Sequence, residues 1–236
     1  MRQFSVRYRT VIKRYAPVSS KQAKAAPSST ASNARPGRPP DPAKQRAILD
    51  AARSLLFQGG PGELSMEAVA RRAGVSKVTI YARYANREAL LDAVIGDQAN
   101  SLMDSLNLQP EDASSARKAL CSFGQQLLSF VLGEEHQGFL RLVLASPASS
   151  QAILARIYRS GPEATHAQLE HWMTRADAAG LLRIPDPPQS TELLIGMLLG
   201  LELIRLLYGQ PAKFTGESLE THVEQVVDRF LSLHGT

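Results

Sequence analysis

Met66-Glu67-Ala68-Val69-Ala70-Arg71-Arg72-Ala73-Gly74-Val75-Ser76-Lys77-Val78-Thr79-Ile80-Tyr81 decides the architecture of this chain. Gly74 permits the left-handed backbone that ends one helix within a single residue. Ser65 caps that helix, and Glu67 sits against its positive end. Ser76 caps the next helix, which the pattern carries from Lys77 to about Tyr84. Val69, Ala73, Val75 and Ile80 supply a small core between the two, and Ala70 is small enough for a tight crossing. Two short helices joined by one glycine turn, the second with polar residues on its open face, form a helix-turn-helix suited to a major groove.

The pattern continues in both directions. Upstream, Asp41-Pro42 opens a helix with a cap and a proline at its first position. Ile48, Ala51, Ala52, Leu55 and Leu56 give that helix one apolar face, and Gly59-Gly60-Pro61-Gly62 ends it. Downstream, Asn86 caps a fourth helix with Leu90, Leu91, Val94 and Ile95 on one face, running past residue 100. Beyond Pro110 the periodicity predicts helices near 112–132, 137–145, 148–178, 188–208 and 216–233, with Gly161-Pro162 breaking or kinking the third of these. No alternating strand pattern of useful length appears. The expected fold is all-α: a helix-turn-helix head at 41–98 and a larger helical domain at 99–236.

The head resembles the DNA-binding domain of the TetR family of regulators. The resemblance is carried by Gly74-Val75-Ser76-Lys77 with Thr79, Ile80 and Tyr81, then Asn86-Arg87-Glu88-Ala89-Leu90-Leu91, and it spans 41–98. It implies that Lys77, Val78, Thr79 and Arg83 face a DNA groove, with Arg83 suited to a bidentate contact with guanine. It also implies that Tyr81 and Arg87 hold phosphates, while Ser65 or Met66 offers a main-chain amide and Ser76 begins the reading helix. Tyr84 is expected in the core. Further on, Phe139-Leu140-Arg141-Leu142-Val143, Gly161-Pro162 and Ala179-Gly180-Leu181-Leu182 with Asp186-Pro187 resemble the AefR-like group of C-terminal domains. That resemblance implies a ligand-binding and dimerisation domain.

Residues 188–208 are apolar nearly all round, with Gly196 and Gly200 on one face. The last helix offers Val223, Val226, Val227, Phe230 and Leu231, and in the family such a pair makes a four-helix bundle between two copies. The expected partners are therefore a second copy of the chain, a palindromic double-stranded DNA operator and a small hydrophobic effector. Phe123, Leu127, Phe130, Trp172 and Met173 are the expected effector wall, with His171 as a polar handle. His166, Glu170 and His171 do not make a metal site, because the two histidines are five apart and leave one helix face. No phosphate loop, nucleophile elbow or paired acid–base set is visible, so no cofactor and no catalysis are expected. A ligand-responsive repressor is the leading reading; a ligand-independent activator or architectural protein is the alternative, and an enzyme comes last.

Composition agrees. A hydrophobic share of 44% against 21% charged residues is that of a chain that buries a core. The single cysteine, Cys121, excludes an internal disulfide framework and thiolate zinc sites, and a cytoplasmic, nucleoid-associated location is expected. The stretch 193–207 is too short and too charged, at Glu202 and Arg205, to span a bilayer. The net charge of +5 conceals an asymmetry: residues 1–40 hold nine Lys or Arg and no acid, leaving 18 basic against 22 acidic residues in the remaining 196. Residues 1–40 read as a disordered basic arm. Arg35-Pro36-Gly37-Arg38-Pro39-Pro40 loosely resembles a minor-groove hook, with Arg38 as its contact. The same segment also resembles an organelle transit peptide, a reading set aside because of the domain that follows, and an alternative places the true start downstream of Met1.

Overall fold

The computed structural model describes residues 41–106, 112–145 and 151–234, all in helices, turns and short connections. The head comprises α1 (Pro42–Gly59), α2 (Met66–Ala73), α3 (Lys77–Tyr81) and the start of α4 (Arg87–Leu102). The remainder comprises α5 (Ala113–Leu132), α6 (Glu134–Ala145), α7 (Gln151–Tyr158), α8 (Ala164–Ala178), α9 (Pro187–Leu199), α10 (Glu202–Leu207) and α11 (Glu217–His234). The boundary expected at residue 98 falls inside α4, which belongs to both parts.

The capping residues do what their chemistry allows. Asp41, Ser65, Ser76 and Asn86 each accept a hydrogen bond from a first-turn amide, at 3.1, 3.1, 3.1 and 2.8 Å. Gly74 adopts φ 65° and ψ 31°. Val75 then donates its amide to Ala70 at 3.0 Å and Gly74 donates to Arg71 at 3.4 Å, the two reversed bonds of a Schellman end.

Two cores form, and they do not divide as the sequence suggests. One contains Ile48, Leu56, Val69, Ile80 and Leu90 of the head together with Phe139 and Val143 of α6. The other joins α5, α8, α9 and α11 through Phe123, Trp172, Leu194, Leu198, Val223 and Phe230. α6 therefore packs as part of the head's core, and α1 reaches it through Phe57, whose ring stacks on Phe139 at 4.8 Å and meets Phe130 edge-on at 6.4 Å.

Three helical segments depart from expectation. α6 starts at Glu134, directly after Gly133, so a glycine read as a break only separates two helices. The long segment 148–178 is interrupted, as Gly161-Pro162 demands, but by a five-residue π-turn, Arg159–Glu163, which absorbs the proline without ending the helical path. The segment 188–208 is two helices: Gly200, at φ 48° and ψ −124°, separates α9 from α10. Glu202 at the start of α10 is buried, and its carboxylate accepts the Lys213 amide at 2.7 Å and faces Arg205 at 3.4 Å, anchoring the following loop.

α5 crosses α9 and α11 closely because Gly124 has no side chain. A Cβ there would lie 2.8 Å from Val223 Cγ1 and 3.0 Å from Leu198 Cδ2. Gly124→Val is therefore expected to lower stability by about 1–3 kcal/mol through overpacking, read as an earlier midpoint in urea unfolding; an unchanged midpoint would contradict this crossing.

Candidate nucleic-acid interface and adjoining cavity

α3 is anchored inward by Ile80, which is fully buried, and presents the opposite side to solvent. Val78 is 78% exposed and Tyr81 50% exposed, unusual for large apolar side chains on a short helix. Thr79 is half-buried, its hydroxyl 2.9 Å from that of Ser76. Lys77 is exposed and pairs with Glu67 of α2 at 3.1 Å, and this neighbour holds the Glu67 carboxyl below its ordinary range. The pair is solvated and adds little stability. Ser65 is half-buried with its hydroxyl engaged as the α2 cap. Tyr84 is buried, and Gln45 of α1 donates to its hydroxyl.

Two arginines are engaged within the protein in this conformation. Arg83 lies beyond the end of α3, because the helix stops at Tyr81 rather than near Tyr84. Its guanidinium turns back and donates to the Asp41 carbonyl at 3.2 Å, with Nε buried and unpaired. It thus faces the start of α1 instead of an open groove. Arg87 donates through Nε to the Leu64 carbonyl at 2.7 Å and through Nη2 to the Pro61 carbonyl. These carbonyls lie at the two ends of the short Pro61–Glu63 turn; that of Pro61 also takes the Leu64 amide at 3.4 Å, and the planar fork of the arginine bridges both. Arg87 ties α4 to the connector and is not a free phosphate ligand in this conformation. Arg38 and the arm lie outside the described residues.

Behind the head lies a cavity of about 330 Å³. α1 contributes Phe57, α4 contributes Ile95 and Ala99, and α6 contributes His136 and Phe139. The π-turn adds Gly161 and Pro162, and Leu199 and Leu203 close it from α9 and α10. Of the expected effector wall, Leu127 and Phe130 line this space. Phe123, Trp172 and Met173 do not: they are fully buried in the core that α5 and α8 share with α9 and α11. His171 is exposed on α8, and the polar handle is instead His136. Sequence reasoning missed His136 because it placed residues 133–136 in a connection. The usable signal was Phe130, His136 and Phe139, three rings that converge once α6 starts at Glu134. His136 lies 4.4 Å from the Phe130 ring and 6.3 Å from Phe139, and burial pushes its imidazole down to about 4, leaving it neutral at pH 7.

Polar links fasten α4 on both sides of this cavity. Toward α1, Arg53 donates to Gln98 and Arg46 pairs with Asp97 at 3.4 Å. Toward the π-turn, Asp92 accepts from Ser160 at 2.9 Å and pairs with Arg156. Gln168 of α8 donates to Asn100 at 3.0 Å. Among the described residues no group of His, Cys, Asp and Glu is arranged to hold a metal ion, and no helix is long and apolar enough to cross a membrane.

Because Arg87 satisfies two connector carbonyls, Arg87→Ala is expected to destabilise the fold by about 1–3 kcal/mol. Arg87→Lys should recover only part of this, since an ammonium cannot reproduce the fork. Thermal melting followed by circular dichroism checks it, and a variant as stable as the parent would return Arg87 to the role of a surface cation.

Residues 48–94 match the family model described as bacterial regulatory proteins, tetR family. Residues 118–236, slightly more than half of the chain, match that of the AefR-like transcriptional repressor, C-terminal domain. The A-factor receptor protein of Streptomyces griseus is 24% identical over 166 residues, covering 67% of this chain and 54% of that protein. The HTH-type transcriptional regulator YdeS of Bacillus subtilis is 29% identical over 125 residues, covering 52% of this chain and 59% of its own length. The chain thus spans little more than half the length of these two relatives. Among solved structures, a protein from Mesorhizobium loti described as a TetR-family transcriptional regulator superposes with TM-score 0.63 at 25% identity, over 82% of this chain and 97% of the other. The Flavonoid-responsive Regulator FrrA superposes with TM-score 0.58 at 28% identity, over 82% and 98%. The protein belongs to the TetR family of bacterial regulatory proteins and carries an AefR-like C-terminal domain.

Proposed function

We propose that this protein is a transcriptional repressor that binds a palindromic operator as a dimer and releases it when a small hydrophobic molecule fills the cavity behind the head. The observation that carries this reading is the shared wall: α1 and α4, two of the head's own helices, form one side of an apolar cavity through Phe57, Ile95 and Ala99. A ligand shifts a conformational equilibrium only if it binds the two conformations differently. A molecule wedged against α1 and α4 meets that condition, because any rotation of the head changes the cavity it occupies. The kinship with a regulator whose name marks it as flavonoid-responsive supports a small organic effector.

On the DNA side, Lys77, Val78, Thr79 and Tyr81 form the reading edge. An exposed valine suits the methyl group of thymine, and a lysine suits a phosphate or a purine edge. Arg83 takes part only if it leaves the Asp41 carbonyl on docking. The arm, with Arg38 foremost, adds charge from outside the described residues. Selection from random duplexes with the purified protein is expected to enrich a palindrome whose half-sites lie about one helical turn apart. Lys77→Ala should then weaken operator binding and lower the slope of log affinity against log salt by about one per half-site. No enriched sequence would defeat the DNA-reading assignment. An operator whose release no compound from a broad hydrophobic panel provokes would favour a ligand-independent regulator.

The dimer surface is α9 with α10. Leu201, Ile204, Leu207 and Tyr208 are 68%, 50%, 60% and 78% exposed, a continuous apolar strip that a lone protomer would leave wet. Of the apolar residues of α11, Val223, Val226, Val227 and Phe230 are buried within the protomer against α5 and α9, while Leu231 is half-buried and Leu233, 66% exposed, is left to meet a second copy. A second copy covers the strip, since a two-fold operator needs two heads. Gly196 is exposed with nothing within 4 Å of a Cβ, so it leaves room for close approach, whereas Gly200 is needed for its own backbone angle. Ile204→Glu is expected to yield a folded monomer by light scattering with much weaker operator binding. A monomeric parent protein at micromolar concentration would remove the proposal.

A further inference from the structure

Among the described residues that line the cavity, Pro162 of the π-turn and Leu203 of α10 are exposed, and the others are buried or half-buried. These two mark its opening, which lies between the π-turn and α10. Leu203 belongs to two surfaces at once. It lines the cavity and is 36% exposed, while Ile204 beside it and Leu207 one turn on are exposed members of the apolar strip. α10 has six residues, of which Glu202 and Leu206 are buried. α9 is arranged in the same way: Ile195 and Leu199 line the cavity half-buried, and Leu193 and Gly196 are exposed. The wall that α9 and α10 give the cavity is therefore one helix thick, and its outer side is the strip.

Resting on both the effector and the dimer readings above, we infer that the effector site is completed by the second copy. Seated on the strip, the partner closes the opening beside Leu203, so an apolar effector binds the dimer more tightly than the single protomer. Packed helices run about 8–10 Å apart, and a helix with its side chains is about 10–12 Å across. A partner helix in contact with Ile204 and Leu207 thus also covers Leu203, which lies between the strip and the cavity. In a lone protomer the ligand would stay wet at this opening, whereas sites for small organic molecules bury most of their ligand. Each ~55 Å² of apolar ligand surface that the partner covers corresponds to about tenfold in affinity. The coupling is reciprocal, and with one site in each protomer the factor is squared, so a saturating effector tightens the dimer about a hundredfold. Release of DNA then proceeds with the dimer intact: the effector turns the heads and does not separate the copies.

Fluorescence-detected sedimentation of the full chain, diluted through its dissociation range with and without saturating 4-methylbiphenyl, reads this directly. The probe is expected to lower the dimer dissociation constant about a hundredfold. Isothermal titration of the same probe into two monomeric variants, Ile204→Glu and Tyr208→Glu, should give about tenfold weaker binding than to the parent in both. Neither residue lines the cavity, so a loss common to the two belongs to the missing partner. Should the variants fail to fold, the sedimentation of the parent decides alone. Equal affinity in parent and variants, or a dimer that the probe leaves unchanged or loosens, would overturn the shared site and leave the effector reading standing. A parent that does not bind the probe would remove the effector reading and this inference together, and a monomeric parent would remove the dimer reading with it.

Discussion

Phe57 leaves the first helix of the head and stacks on Phe139 of α6 at 4.8 Å, with Phe130 of α5 at its edge. The rest of the structure depends on that contact. Beside it, Val143 of α6 joins the same core and Leu142 lies 3.3 Å from where a Cβ of Gly60 would stand, so α1 and α6 meet along a face and not at one point. With it, α1 and α4 are two struts, and the space between them and the body becomes a partly open apolar cavity. A packed aromatic junction does not deform smoothly, because close-packed side chains have few alternative arrangements. It is the kind of joint at which a ligand can favour one orientation of the head over another.

The polar links around α4 determine how such a change travels. Asp92 is held by Ser160 and Arg156, one on each side of the start of the π-turn. The π-turn exists because Gly161-Pro162 interrupts a helix that otherwise runs on, and Gly161 lets α4 approach: a Cβ there would lie 3.1 Å from Ile95 Cγ2. The residues that line the cavity and those that grip α4 thus belong to the same short segment. Arg53 and Gln98 repeat the arrangement on the other side, since Gln98 lines the cavity while bound to α1. Under the proposed function, occupancy of the cavity and position of the head are coupled through these shared residues.

How much of this the sequence shows depends on the range of the interactions involved. Helix ends were legible, because Ser65, Ser76, Asn86 and Gly74 act on backbone groups within three to five residues of themselves. The periodicity of α1 and α4 was legible for the same reason. The fate of Arg83 and Arg87 was not: each bonds to carbonyls more than twenty residues away, and nothing local distinguishes them from solvent-facing cations. The cavity was half legible. Leu127 and Phe130 were found as apolar residues of α5, but Phe123 on the same helix turns to the other core, and periodicity alone does not say which of two cores a helix face meets. Gly133 and Gly200 show the opposite uses of one residue type: the first separates consecutive helices closely, and the second breaks an apolar run that otherwise reads as a single helix.

The most direct measurement of the central claim is the distance between the two heads of a dimer. Lys44, exposed in the first turn of α1, accepts a spin label as Lys44→Cys, while Cys121 is buried and stays silent. Pulsed electron–electron double resonance on the operator complex should give one narrow distance distribution. Saturation of the DNA-free protein with 4-methylbiphenyl, an apolar probe of the cavity's size, should give a different one. If the probe is bound, by titration on the same sample, and the distribution stays that of the operator complex, then filling the cavity does not move the heads and the account of coupling is wrong.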